Sequence, residues 1–125
     1  MTPFSEIRIM IVDDHAQVRR GLSVVLDLWD DFVWVGEAEN GEKAVALAEK
    51  LHPDIILMDL VMPVMDGATA TRIIKRKFPD IQILVLTSSV DSEAIQKAID
   101  AGAKSCMLKN VNLDTMAETI RAAVH

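Results

Sequence analysis

The 125-residue chain has no tyrosine, only two tryptophans and three phenylalanines, and a single cysteine. One cysteine excludes an internal disulfide and fits a reducing compartment. No apolar run approaches the roughly 18 residues that a membrane-spanning helix requires. Residues Met1 to Glu6 carry neither a basic segment followed by an apolar stretch nor a twin-arginine signal, so no export peptide is expected. The expected location is the cytoplasm. Excess positive charge is missing too: thirteen Lys and Arg face nineteen Asp and Glu, a net charge of −6. That sign disfavours direct contact with a nucleic-acid backbone by this domain. Linkers, internal repeats and low-complexity tracts are absent as well.

What is present is an ordinary globular composition, 50% hydrophobic and 26% charged, in a length that suits one domain with a sizeable core. The most informative stretch runs from Asp54 to Gly67. The apolar residues Ile55-Ile56-Leu57-Met58 lead straight into Asp59, and Pro63, Asp66 and Gly67 follow within one loop length. Such a run reads as a strand buried on both faces, of the kind found inside a parallel sheet. Asp59 then sits at its carboxyl end, where open α/β sheets bind ligands. An acid there is costly unless solvated, paired or metal-bound.

The rest of the chain repeats the pattern. Strands are expected at Ile7 to Val12, at Phe32 to Ala38 (mixed in polarity, as at a sheet edge), at Ile81 to Leu86 and at Lys104 to Leu108. Helices are expected from Ala16 to Leu28, from Asn40-Gly41 to Leu51, from Gly67 to about Lys77, from Asp91 to Ala101, and over Leu113 to Val124. Pro79 ends the third helix and Gly102 stops the fourth. Five strands alternating with five helices call for a parallel sheet covered on both faces.

Four of the five strands end on polar groups: Asp13 and Asp14, Asp59, Thr87 with Ser88 and Ser89, and Lys109. In a parallel sheet these ends share one edge. Three gathered carboxylates repel one another, and burial raises their pKa values further. A hard divalent cation relieves the repulsion, and Mg²⁺ takes one or two carboxylates together with waters and a phosphate. A lone lysine suits a phosphate oxygen as a point charge, and a hydroxyl can donate to a second. The set points to phosphoryl transfer. With no cysteine or Ser-His pair in view, the nucleophile would be a carboxylate.

The motifs Val12-Asp13-Asp14, Met58-Asp59-Leu60-Val61-Met62-Pro63-Val64-Met65-Asp66-Gly67, Leu86-Thr87-Ser88, Ala101-Gly102-Ala103 and Leu108-Lys109 resemble, in order and spacing, the receiver domain of bacterial two-component response regulators. Asp14-His15 and the Val35-Gly36-Glu37-Ala38 segment resemble the LuxR/NarL-type subgroup of DNA-binding regulators. The resemblance covers essentially the whole chain. It implies a flavodoxin-like doubly wound sheet of strand order 2-1-3-4-5 and one receiver domain over residues 1–125, with any effector domain lying outside this chain. It further implies that Asp59 accepts a phosphoryl group from a sensor histidine kinase. Asp14, Asp59 and the main-chain carbonyl of Val61 would hold Mg²⁺, with Asp13 acting through bound water. Thr87, Lys109 and Ser88 would form the phosphate-binding and switch set. Such a domain catalyses only its own phosphorylation and dephosphorylation. Its output would reach DNA through the effector domain. A homodimer would use either the first and last helices or the fourth helix through the last.

Three positions depart from the family pattern. Cys106 stands where receivers usually carry Tyr or Phe, three residues before the lysine. Asn110 stands where a cis-proline is frequent; a non-proline cis bond costs about 2.5–4 kcal/mol, so trans is expected. Val61 replaces a more polar residue two after the acceptor.

Other residues have plainer readings. Asp66 reads as the N-cap of the third helix, and Met58, Met62 and Met65 as packing. His15 reads as a solvated first-turn residue, and Cys106 as a small buried hydrophobe. Lys75-Arg76-Lys77 reads as a complement to a helix dipole. Two alternatives remain open: a receiver that binds partners without phosphorylation, and an aspartate-nucleophile phosphatase. The latter would place a second acid at position 61, where Val61 stands.

Overall fold

In the computed structural model, which describes residues 6–88 and 91–125, the apolar and amphipathic runs become five strands and five helices. The strands are β1 (Ile7–Val12), β2 (Phe32–Ala38), β3 (Ile55–Met58), β4 (Gln82–Thr87) and β5 (Ser105–Leu108). The helices are α1 (Ala16–Leu26), α2 (Gly41–Leu51), α3 (Gly67–Lys77), α4 (Ser92–Asp100) and α5 (Leu113–Val124). Ser89 and the segment before Glu6 lie outside the described residues. Every strand pair is parallel, in the order β2-β1-β3-β4-β5. This is the doubly wound topology expected from the sequence.

Alternation along the strands builds two cores, because successive side chains leave a sheet on opposite faces. Met10, Val12, Ile56, Met58, Ile83 and Val85 pack under α2, α3 and α4. Ile9, Ile11, Leu57, Leu84 and Leu86 meet Leu26 of α1 and Met116, Ala117 and Ile120 of α5 on the other face. All four residues of β3 are buried, which explains their unbroken Ile/Leu/Met run. β2 is an edge strand, as its mixed polarity suggested, with β5 at the other edge. Trp34 and Glu37 are exposed, and a bulge leaves Val35 without a register partner between Ile9–Trp34 and Met10–Gly36. Such a bulge blunts a strand edge.

Side-chain caps fix the starts of α2, α3, α4 and α5. Asn40, Asp66, Asp91 and Asn112 each accept from backbone N–H groups of the first turn, satisfying donors that the helix itself cannot. Gly102 stops α4 as expected, with φ of 115° and its N–H bonded to Ile99 O at 3.0 Å. α1 ends at Leu26, two residues earlier than its apolar pattern suggested. The N–H groups of Asp27, Leu28 and Trp29 bond three residues back, to Val24, Val25 and Leu26, so the helix tightens into turns. β4 starts one residue late because Ile81 N–H closes a turn onto Phe78 O at 3.0 Å, and it extends through Thr87, which pairs with Leu108. In the basic cluster, Lys75 does more than face the helix dipole. Its Nζ donates to Pro79 O at 2.7 Å and Ile81 O at 2.9 Å, bracing the α3–β4 loop.

Two local features have measurable consequences. Thr71 is fully buried in α3, and its hydroxyl has no hydrogen-bond partner. Val has the same shape without the unmet polar group, so Thr71→Val should raise stability by about 1 kcal/mol in urea unfolding. A loss of stability would mean that the hydroxyl is satisfied in solution. On the other side, the Arg121 fork grips Asp31 at 2.8 and 2.9 Å and lies 5.1 Å over the Phe32 ring. The guanidinium hydrogen bond, ahead of all other causes, holds the Asp31 carboxyl below the usual range. A depressed carboxylate contributes stability above its unfolded pKa of about 3.9, and that contribution drains away as pH falls through the lower folded value. Asp31→Asn should therefore cost about 1 kcal/mol or less near neutral pH, given its partial exposure. The gap to wild type should close below about pH 4. A gap that widens with acid would refute this sign.

Candidate functional site

β1, β3 and β4 end side by side, and their backbones continue to bond just past the sheet. Asp13 N–H donates to Ala38 O at 3.1 Å, and Asp59 N–H to Val12 O at 2.9 Å. Lys109, one residue beyond β5, donates its N–H to Thr87 O at 2.8 Å. This continuation brings Asp13, Asp59, Thr87 and Lys109 together although they span almost a hundred residues of chain.

The side chains are tightly packed. Asp13 is 2% exposed, Asp59 6% and Thr87 1%. Lys109 Nζ lies 2.6 Å from Asp13 Oδ2 and 3.4 Å from Asp59 Oδ2, and Asp59 Oδ1 accepts from Leu60 N–H at 2.9 Å. Burial first, and the Asp13 charge second, push the Asp59 carboxyl up from its ordinary pKa; Lys109 and the Leu60 N–H only partly offset them. For Lys109, burial pulls down, but the hydrogen bond to Asp13 and the two carboxylate charges outweigh it, so its pKa is raised. The ammonium stays charged.

The loop after Asp59 is built for close approach. Gly67 N–H donates to Leu60 O at 2.9 Å, and a Cβ on Gly67 would fall 2.0 Å from Asp59 O. Any side chain there would displace the backbone of Asp59 itself. Between them, Val64 has φ of 71°, with Met65 N–H closing a three-residue turn onto Pro63 O at 2.8 Å. A β-branched residue in that region stores about 1–3 kcal/mol of strain.

Asp14 completes the acidic set. Asp13, Asp14, His15 and Asp59 each offer one ligand atom, all within 4.8 Å of one another. Asp14 Oδ1 is buried without a hydrogen-bond donor. A buried, orphaned carboxylate oxygen beside two further hard oxygen donors suits a small divalent cation such as Mg²⁺. His15 is more involved than a solvated first-turn residue. Its side chain is 67% exposed, as expected, but Nδ1 lies 3.2 Å from Asp13 Oδ1 and 3.1 Å from Asp14 Oδ1, the latter outside hydrogen-bond geometry.

The remaining positions divide. Val61 and Ser88 are exposed beside the cleft. Cys106 lies in β5 opposite Val85, half-buried against the α2–α3–α4 core, so it is less enclosed than a core hydrophobe, and burial pushes its thiol pKa up. No described peptide bond is cis, so Lys109–Asn110 is trans, as expected. Asp66 caps α3, its Oδ1 accepting from Thr69 N–H at 2.7 Å. Sequence reasoning missed Arg19, whose Nη1 donates to Asp13 O at 2.6 Å while its Nε binds Glu37 Oε1 at 2.7 Å. Its spacing of one helical turn beyond His15 was a signal, but Arg20 beside it was equally eligible.

A 2-1-3-4-5 parallel sheet places the chain in the flavodoxin-like doubly wound class, whose ligands bind at the carboxyl edge where this chain gathers three acids and a lysine. Within that class, the chain belongs to the response regulator receiver domain family, whose model matches residues 9–121. It is 46% identical over 117 residues to the transcriptional regulatory protein LiaR of Bacillus subtilis, covering 94% of this chain and 56% of that protein. It is 43% identical over 115 residues to the response regulator protein VraR of Staphylococcus aureus, covering 92% of this chain and 55% of VraR. The chain thus spans about half the length of these relatives. Among solved structures, a LuxR-family two-component response regulator from Aurantimonas superposes with a TM-score of 0.90 at 33% identity, covering 96% of this chain and 86% of that one. That similarity bears out the subgroup suggested by Asp14-His15 and Val35-Gly36-Glu37-Ala38. Among the described residues, no helix is long and apolar enough to cross a membrane.

Because burial and Asp13 both disfavour the Asp59 charge, Asp59→Asn should melt above wild type in metal-free buffer at neutral pH. Added Mg²⁺ should raise the wild-type Tm and move the variant far less. Thermal denaturation with and without Mg²⁺ reads both. A variant that melts lower would show that the Lys109 contact outweighs the burial of the charge.

Proposed function

We propose that this chain is the phospho-accepting domain of a response regulator, taking a phosphoryl group from a sensor histidine kinase onto Asp59. The observation that carries the reading is Asp59 itself: a buried carboxylate between Asp13 and Lys109, beside an orphaned Asp14 oxygen. In the transfer, an Asp59 oxygen attacks phosphorus, the P–N bond to the donor imidazole breaks, and the imidazole nitrogen leaves with the bonding pair. Asp13 and Asp14, with Asp59 and the Val61 carbonyl, would hold Mg²⁺, Asp13 through water. That ion supplies charge neutralisation for the incoming phosphoryl oxygens. Lys109 supplies a second positive charge, and Thr87, with Ser88 at the same edge, supplies hydroxyl donors. Placement and charge, not covalent chemistry on an outside substrate, are what these residues contribute, in keeping with a switch that acts only on itself.

By its similarity to LiaR and VraR, the domain would control a DNA-binding effector domain in a cytoplasmic transcriptional regulator, without touching DNA, and through dimerisation. Residues 1–125 would form the receiver unit. A second reading, a receiver that binds its partner without phosphorylation, is favoured by one observation: half-buried Cys106 holds the place of the usual switch aromatic. A phosphatase acting on external esters has less support, since Val61 offers no carboxylate where a second acid would stand.

Intact mass after incubation with a small phosphodonor and Mg²⁺ tests this. Wild type should gain one phosphoryl group, and neither Asp59→Asn nor a sample in chelator should gain any. Folded wild type that gains nothing would leave only the phosphorylation-independent reading.

A further inference from the structure

We infer that Arg19 is a positioning residue for the metal-binding acids, acting on Asp14 through the main chain of Asp13 and held in place by Glu37. The inference rests on the Mg²⁺-binding role proposed above for Asp13, Asp14 and Asp59. It starts from an asymmetry among the three acids. Asp59 is tied by Leu60 N–H and Lys109, and Asp13 by Lys109, His15 N–H and His15 Nδ1. Asp14 Oδ1 accepts no hydrogen bond; its one contact with a basic side chain among the described residues is the exposed His15 ring, with Nδ1 at 3.1 Å. With no hydrogen bond to fix it, the location of that oxygen depends chiefly on the backbone that carries it.

That backbone is clamped from two sides. Asp13 N–H is bonded to Ala38 O just beyond β2, at 3.1 Å. The Asp13 carbonyl, which begins the peptide unit leading into Asp14, accepts from Arg19 Nη1 at 2.6 Å. Side chains on a helix lean toward its N-terminus, so an arginine in the first turns of α1 reaches back over the Asp13–Asp14 peptide. Its guanidinium is planar with donors in a fixed fork. Arg19 Nε is anchored by Glu37 Oε1 at 2.7 Å, and the Arg19 side chain is only 13% exposed. The fork therefore ties the Asp13 carbonyl rigidly to β2 through Glu37. Removing Arg19 takes away the bond to the Asp13 carbonyl and leaves Asp13 held by its N–H bond to Ala38 and by its side-chain contacts with Lys109 and His15. Partners that orient ligands in this way typically change metal affinity 10–100-fold when lost.

Mg²⁺ affinity, measured by calorimetry without a phosphodonor, is the deciding readout. Arg19→Ala should weaken Mg²⁺ binding about tenfold, and saturating Mg²⁺ should restore most of the phosphorylation rate. Arg19→Lys can reach the Asp13 carbonyl but cannot grip it and Glu37 as one fork, so it should fall between. Backbone amide shifts of Asp14 and His15 in the metal-free protein should move in Arg19→Ala, while those in β3 stay fixed. If either folded variant binds Mg²⁺ as tightly as wild type, the positioning role is overturned; should Arg19→Ala not fold, Arg19→Lys decides. A rate defect that saturating Mg²⁺ does not relieve would also overturn it. Wild type that binds Mg²⁺ but takes no phosphoryl group would defeat the phospho-acceptor reading and leave the Arg19 question to the calorimetry.

Discussion

Two carboxylates, each more than nine-tenths buried, share a single ammonium at the carboxyl edge of this sheet. Asp13 takes the short contact with Lys109, 2.6 Å, and Asp59 is left at 3.4 Å. One cation cannot neutralise two buried anions with a third beside them, and burial first, with the Asp13 charge second, raises the pKa of Asp59. Paired buried charges break even only when geometry and further hydrogen bonds are good. Here the edge is left short of positive charge and well supplied with hard oxygen donors, an arrangement that suits a small divalent cation.

Holding such an edge requires a scaffold that does not yield. The parallel sheet supplies it, because β1, β3 and β4 are locked between two apolar layers. Bonds beyond the strands then carry that rigidity to the acids themselves. The β3–α3 loop adds a steric constraint, with Gly67 pressed against Asp59 O and Val64 held at φ of 71°. Strain of this kind persists only where surrounding contacts over-determine the backbone. The loop therefore belongs to the site as much as the acids do, although only its backbone takes part.

The architecture was largely legible because it depends on periodicity. Strands buried on both faces announce themselves as unbroken apolar runs, and Ile55 to Met58 could hardly be read otherwise. The common carboxyl edge of a parallel sheet then brought Asp13, Asp59, Thr87 and Lys109 together, and the family motifs named their roles. Less legible were features set by competition between local bonds. The tightening of α1 after Leu26 arises from three-residue hydrogen bonds that its hydrophobic pattern does not encode. Arg19 was illegible for another reason: its role depends on which carbonyl lies over the first turns of α1, a matter of three-dimensional placement. His15 shows the limit of choosing between solvent and site, since its ring is exposed and still reaches both neighbouring acids.

Cys106 bears on how events at the edge could be felt elsewhere. A large aromatic at that position can exchange an exposed for a buried orientation, a sizeable change in buried apolar area. Cysteine has one short side-chain torsion and little area to exchange, and Cys106 is already half-buried against Val85 and its neighbours. The ladder itself connects Thr87 to the β5 end in this chain: Thr87 pairs with Leu108, and Thr87 O accepts from Lys109 N–H at 2.8 Å. A shift of Thr87 must carry Leu108 and Lys109 with it or break that bond. Leu108, at 40% exposure, stands at the protein surface on the same segment. Main-chain movement can thus reach the surface beside β5 without any rotamer exchange at position 106.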